Sequence, residues 1–327
     1  MRRIATLAGG TFLVGAISVA GWCAARAAVA AIERNPDPFP RDQLAREPEG
    51  EEVLIHRPDG TVIRAVVAGE GPTVVLANAY GTPLAEWNIV WDKLLDRSHR
   101  VIAFDPRGHG RSTIGSAGIG SESMAADDAA VLEHFDVHDG VLVGHSTGGF
   151  IAIRALLDHP ELAGRLRGLV LCASWAGRIL DGAPQNRLQI PLLQTGVMQQ
   201  VMRTRTGRVL IGASMCGKHP SPAMIEVGCD MFLQQDHRPL LPILRACMHE
   251  DRYPRLAEIA VPTVVMVGSA DRTTPPSHAR RLAAGVPGAR LVTVPDAGHL
   301  LNWEAPDALV DVIGSFQKGP SVGAGGL

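Results

Sequence analysis

The stretch at residues 141–157 constrains this chain more than any other. A compact apolar run, VLVGH, passes directly into Gly144-His145-Ser146-Thr147-Gly148-Gly149 and then into the helix-like FIAIRALL. Strand, sharp turn and helix in that order put a serine on a tight corner. Small neighbours there let a strained backbone project the hydroxyl above a sheet. A Gly-rich turn can instead hold phosphate at a helix N-terminus. That use calls for a GKS/GKT loop or a GxGxxG fingerprint, and the sequence has neither.

The same alternation extends along the chain. Residues 53–56 and 61–68 are β-type runs around the hairpin signal Pro58-Asp59-Gly60. Residues 73–78 (TVVLAN), 101–105 (VIAFD), 141–145, 168–173 (GLVLCA) and 263–267 (TVVMV) are short and mostly apolar, as strands buried on both faces are. Helix-like stretches, among them 123–135 and 149–159, lie between them, which predicts an α/β fold with a mostly parallel central sheet flanked by helices. The chain has 327 residues, 46% of them hydrophobic, enough for one sizeable core. Residues 175–254 break the rhythm: they read as helical and carry six of the nine methionines, including Met198 and Met202. They are expected to form a helical lid inserted into a core made of 53–174 and 255–316, with a flexible Gly-rich tail at 317–327.

At the N-terminus, Arg2 and Arg3 precede an uncharged run from Ile4 to Ala25, and a second Ala-rich stretch follows it. Twenty-two uncharged residues exceed a cleaved signal's apolar core and match the roughly 20 needed to span a bilayer. Residues 1–34 are therefore expected to be an uncleaved membrane anchor, with a signal segment cleaved on secretion as the alternative. Residues 35–52 are expected to be a linker. The paired arginines predict a cytoplasmic N-terminus and an extracytoplasmic catalytic domain.

Thirty-one Lys and Arg against 33 Asp and Glu give no electrostatic case for nucleic acid as a partner. The five cysteines show no metal-ligand spacing, so no metal is expected, and a Cys216–Cys229 disulfide is left open.

A serine hydroxyl needs a base to take its proton, and the base needs an orienting carboxylate. Val267-Gly268-Ser269-Ala270-Asp271 puts an acid just past a strand, and Pro295-Asp296-Ala297-Gly298-His299 puts a histidine in a later loop. Asp296 is the alternative acid, but its closeness to His299 fits a turn former. With Phe104-Asp105-Pro106-Arg107-Gly108-His109-Gly110-Arg111-Ser112, which is similar to the FDxRGHGxS segment, four motifs stand in order. On these the chain resembles the α/β-hydrolase superfamily from about residue 53 to 316, and its Ser-Thr-Gly-Gly run is similar to that of cofactor-free haloperoxidase-like esterases.

The resemblance implies Ser146 as nucleophile, His299 as base and Asp271 as its orienting acid, with no cofactor. It implies oxyanion donors at the backbone N–H of Thr147 and, after the third strand, of Tyr80. Asn78-Ala79-Tyr80-Gly81 departs from the family's His-Gly-X-Gly there. Asn78, His145, Met198 and Met202 are candidate substrate contacts, with packing as the other role for His145. The implied activity is hydrolysis of a small or lipid-like carboxylic ester through an acyl-serine. The alternatives are carbon–carbon bond hydrolysis, cofactor-free oxygenase or haloperoxidase-like chemistry, and a non-catalytic binding protein.

Overall fold

The computed structural model of the chain describes residue 21 and residues 23–317. Its eight strands are β1 (Glu51–His56), β2 (Val62–Ala68), β3 (Thr73–Ala77), β4 (Arg100–Phe104), β5 (Gly140–His145), β6 (Leu166–Cys172), β7 (Thr263–Gly268) and β8 (Arg290–Val294). They form one sheet in the order β1-β2-β4-β3-β5-β6-β7-β8. The β1–β2 hairpin and the β2–β4 pair are antiparallel, and every other pairing is parallel. The expected mostly parallel sheet is present.

The helices are α1 (Arg41–Ala45), α2 (Asn88–Leu95), α3 (Ser121–His134), α4 (Thr147–Asp158), α5 (Gln189–Gln194), α6 (Val197–Arg203), α7 (Arg205–Met215), α8 (Pro222–Gln234), α9 (Leu241–His249), α10 (Pro276–Gly285), α11 (Leu301–Glu304) and α12 (Pro306–Ser315). Alternate strand residues point to opposite faces of a sheet. Val75, Ile102, Leu142 and Leu169 accordingly pack with Leu132 of α3, Phe150 of α4 and Leu282 of α10. Val74, Val101, Val143 and Val170 pack with Trp91 of α2 and Ile313 of α12 on the other face. Both faces are covered, which is why the central strands are mostly apolar. Helices α5 to α9 all lie between β6 and β7.

The chain order reverses beside β3, whose neighbours are β4 and β5, and this opens a crevice at the carboxyl ends of the strands. The segments that follow β3, β5, β7 and β8 all emerge at that edge.

The expected membrane anchor is corrected by the structure. Among the described residues no helix is long and apolar enough to cross a membrane. The transmembrane and membrane-held extracytoplasmic readings are therefore set aside. Most of the apolar run from Ile4 to Ala25 lies outside the described residues. In the helical stretch at 23–32, Val29 is buried and Ile32 packs against Met202, Cys216, Ile225 and Cys229 of the folded domain. Glu33 pairs with Arg205 at 2.5 Å. Residues beyond it also lie on the protein, where the Asp37 carboxylate accepts the Ala223 N–H at 2.8 Å and Leu44 is buried beside Ile89 and Met224.

Candidate active site

Ser146 sits between β5 and α4 with φ 52° and ψ −116°, in the positive-φ region that L-residues rarely occupy. Main-chain bonds hold it there. Its N–H donates to the Cys172 carbonyl at 2.9 Å, and the Ser174 hydroxyl donates to its carbonyl at 2.9 Å. Two neighbouring glycines are sterically required. A Cβ on Gly144 would stand 2.4 Å from Gly149 Cα, and one on Gly148 would stand 2.3 Å from the Ala77 carbonyl oxygen. The Gly-rich turn therefore lets α4 approach β5 and β3 closely enough for the serine to stand at the end of the sheet.

His299 Nε2 lies 3.0 Å from Ser146 Oγ, and its Nδ1 lies 2.9 Å from Asp271 Oδ2. The Thr273 and Thr274 N–H groups donate to Asp271 Oδ1 at 2.8 and 2.9 Å, and the Thr274 hydroxyl sits 2.8 Å from Oδ2. Burial alone would push the Asp271 carboxyl up. The charge and hydrogen bond of His299, with the hydrogen bonds of Thr274, outweigh it and hold the carboxyl below its ordinary value. Glu304 fixes the loop of the histidine by accepting the Gly298 N–H at 3.0 Å and the Leu300 N–H at 3.2 Å. Asp296, the alternative acid, instead pairs with Lys218 at the surface.

After β3, the loop at 78–82 approaches Ser146. Its Ala79 N–H donates to Glu86 Oε1 at 2.9 Å. Among the described residues, the backbone N–H groups of Tyr80 and Thr147 have no hydrogen-bond acceptor. Asn78 is turned into the fold: its Oδ1 accepts from Trp87 Nε1 at 2.9 Å, and it does not line the cavity described next.

A cavity of about 580 Å³ opens beside Ser146, with Tyr80, His145, Thr147 and His299 on its walls. Its far side is apolar and comes from the helices between β6 and β7, through Leu192, Met198, Met202, Phe232 and Leu244. Met215, Met224 and Met248 line it too. Among the described residues, the Asp, Glu, Lys or Arg side chains on its walls are Glu86, which is buried and bonded, and the exposed Arg272. Cys216 and Cys229 are free thiols beside it, and burial pushes them up to about 12 and about 11.

The structure thus brings together Ser146, His299, Asp271, Thr147, Tyr80, His145, Met198 and Met202, and leaves Asn78 apart. Sequence reasoning missed Glu86, Thr274, Ser174 and Glu304. Thr273-Thr274, two residues past Asp271, is the one such pair whose position could have suggested a role in holding the acid.

Comparison with known proteins places this geometry. Residues 74–312 match the model of the alpha/beta hydrolase family. The chain belongs to that family. It is 32% identical over 219 residues to BpoC of Mycobacterium tuberculosis, assigned as a candidate non-heme bromoperoxidase, covering 66% of this chain and 81% of BpoC. It is 30% identical over 234 residues to RutD of Variovorax paradoxus, assigned as a candidate carbamate hydrolase, covering 70% of this chain and 85% of RutD. Among solved structures, a thermophilic esterase from Thermogutta terrifontis superposes with a TM-score of 0.66 at 26% identity, covering 82% of this chain and 98% of that one. The serine turn, the acid and the histidine follow β5, β7 and β8 of one sheet, in the chain order Ser, Asp, His of α/β hydrolases.

Proposed function

We propose that this α/β hydrolase cleaves a carboxylic ester with a substantial apolar acyl group, through an acyl-serine intermediate. The carrying observation is the unbroken relay from Ser146 Oγ through His299 to Asp271, with the unengaged N–H groups of Tyr80 and Thr147 beside it on an apolar cavity.

With Nδ1–H donating to Asp271, His299 presents a bare Nε2 to the serine hydroxyl. That nitrogen takes the proton as Oγ attacks the ester carbonyl. Negative charge then develops on the carbonyl oxygen. The Tyr80 and Thr147 N–H groups are its donors, and because they are already placed, little reorganisation is needed as the charge forms. The imidazolium returns its proton to the departing alcohol. Water attacks the acyl-serine in the second half, again giving its proton to His299.

The cavity supports the substrate class. Its apolar wall, rich in methionine, suits an alkyl or bulky acyl chain and lacks a buried cation for a charged one. We assign the helices between β6 and β7 as the lid that supplies this wall. The esterase among the structural neighbours favours the ester reading, whereas the two sequence relatives make carbamate cleavage and peroxide-dependent chemistry the controls to run.

A panel of p-nitrophenyl esters of increasing acyl length, with a carbamate and a peroxide-dependent bromination assay beside it, tests the reading. Ester turnover that rises with chain length and vanishes in Ser146→Ala protein is expected. Turnover of the carbamate or the halide alone would contradict it.

A further inference from the structure

Glu86 is a glutamate buried at the centre of the site, yet it is no part of the relay. Its carboxylate accepts the Ala79 N–H at 2.9 Å and the Thr82 hydroxyl at 2.6 Å, and faces His145 Nδ1 at 3.3 Å. His145, which directly precedes the serine, places its Nε2 3.0 Å from the carbonyl oxygen of His299. Both ring nitrogens of His145 therefore face acceptors. A neutral imidazole has one N–H and would turn a lone pair towards the carboxylate or the carbonyl; only the imidazolium donates to both. The main chain of Glu86 is tied to the same region, since Asn302 Nδ2 donates to its carbonyl at 2.6 Å.

We propose that Glu86 and His145 are positioning residues, a buried carboxylate–imidazolium pair that locks the loop at 79–82 to the loop carrying His299. This rests on the reading of Tyr80 as an oxyanion donor. By taking the Ala79 N–H and the Thr82 hydroxyl, Glu86 grips the peptide on both sides of Tyr80 and leaves the Tyr80 N–H unengaged. Through His145 the same carboxylate holds the backbone of the base. One pair thus sets the distance between the oxyanion donor and the group that moves the proton, and a small error in such a distance is costly to rate.

The electrostatics agree with the geometry. Burial pulls His145 down, but the Glu86 charge and hydrogen bond, the His299 carbonyl and the charge of Asp271 together raise it above the usual imidazole range. Asp271 and His299 also face His145, while two further titratable groups act on Glu86. Burial pulls His109 down to about 4 and pushes the Cys172 thiol up.

The test uses the full chain and the ester panel. Glu86→Gln protein should lose between about tenfold and 100-fold in kcat with KM within about twofold, short of the 10²–10³ loss from deleting an oxyanion donor outright. The parent's alkaline fall in kcat, where His145 gives up its proton, should move to lower pH in this variant. Nitrogen NMR of the parent should show both ring nitrogens of His145 protonated at pH values above the ordinary imidazole pKa of about 6.5, a readout that does not depend on the variant folding. His145 titrating at or below the ordinary imidazole value, or folded Glu86→Gln protein with parental kcat and pH profile, would overturn the proposal. Ser146→Ala run alongside separates the two claims: if it is inactive while Glu86→Gln behaves as the parent, only the positioning role fails, and if it still turns over ester, the reading of the site fails.

Discussion

At the scale of single residues, Asp271 joins catalysis to stability. Asp271→Asn would let the side chain donate to His299 and so favour the tautomer with the wrong nitrogen facing Ser146. Turnover should fall on the order of 10⁴-fold with the fold intact, as the same change does in serine proteases. The folded pKa of Asp271 lies below the ordinary aspartate value of about 3.9, so its contribution to stability is fully present above that value and is lost as pH falls through the folded pKa. The gap in urea midpoint between parent and Asp271→Asn protein should therefore be steady above about pH 5 and narrow as pH falls below about 4. A gap that stays constant would contradict the assignment of the carboxylate as ionised and bonded. Asp271 could be singled out from the sequence because it stands just past an apolar strand and ahead of a Gly-His loop. Glu86 could not, since a glutamate in Leu84-Ala85-Glu86-Trp87 reads like any solvated helix residue, and only the fold brings it to His145.

At the scale of elements, the serine turn depends on how closely α4 approaches the strands. Gly148→Ala would force a methyl group to within 2.3 Å of the Ala77 carbonyl, a contact that backbone cannot relieve without moving. A loss of about 1–3 kcal/mol in urea unfolding is expected, with activity falling further because Ser146 shifts with the helix. An unchanged midpoint would mean that the turn is not closely packed. The central strands were legible because both faces are buried and their residues are mostly apolar. A strand ahead of the His299 loop was expected, but the bounds of β8 were not legible, since its residues are half-buried or exposed at the sheet edge and the run RLVTV carries little burial signal.

At the scale of the whole molecule, the cavity joins the sheet to the helices between β6 and β7. Each methylene buried there is worth about 0.8 kcal/mol, so kcat/KM should rise by up to about fourfold per added acyl carbon until the cavity is full. Met202→Ala should shift the preferred chain length while leaving the rate on an acetyl ester within a few-fold of the parent. The same length preference in both proteins would count against these helices as the acyl wall. Long-range packing also explains the corrected N-terminal reading. In the Ala-rich stretch that follows the run at 4–25, Ile32 packs against Met202 and Cys216, partners that only the folded molecule brings to it.

The most direct measurement uses Ser146→Ala protein, folded by circular dichroism, against an ester that the parent cleaves and against a fluorophosphonate probe. Ester turnover should fall by several orders of magnitude and labelling should disappear. Near-parental turnover by folded Ser146→Ala protein would contradict the assignment of Ser146 as the nucleophile.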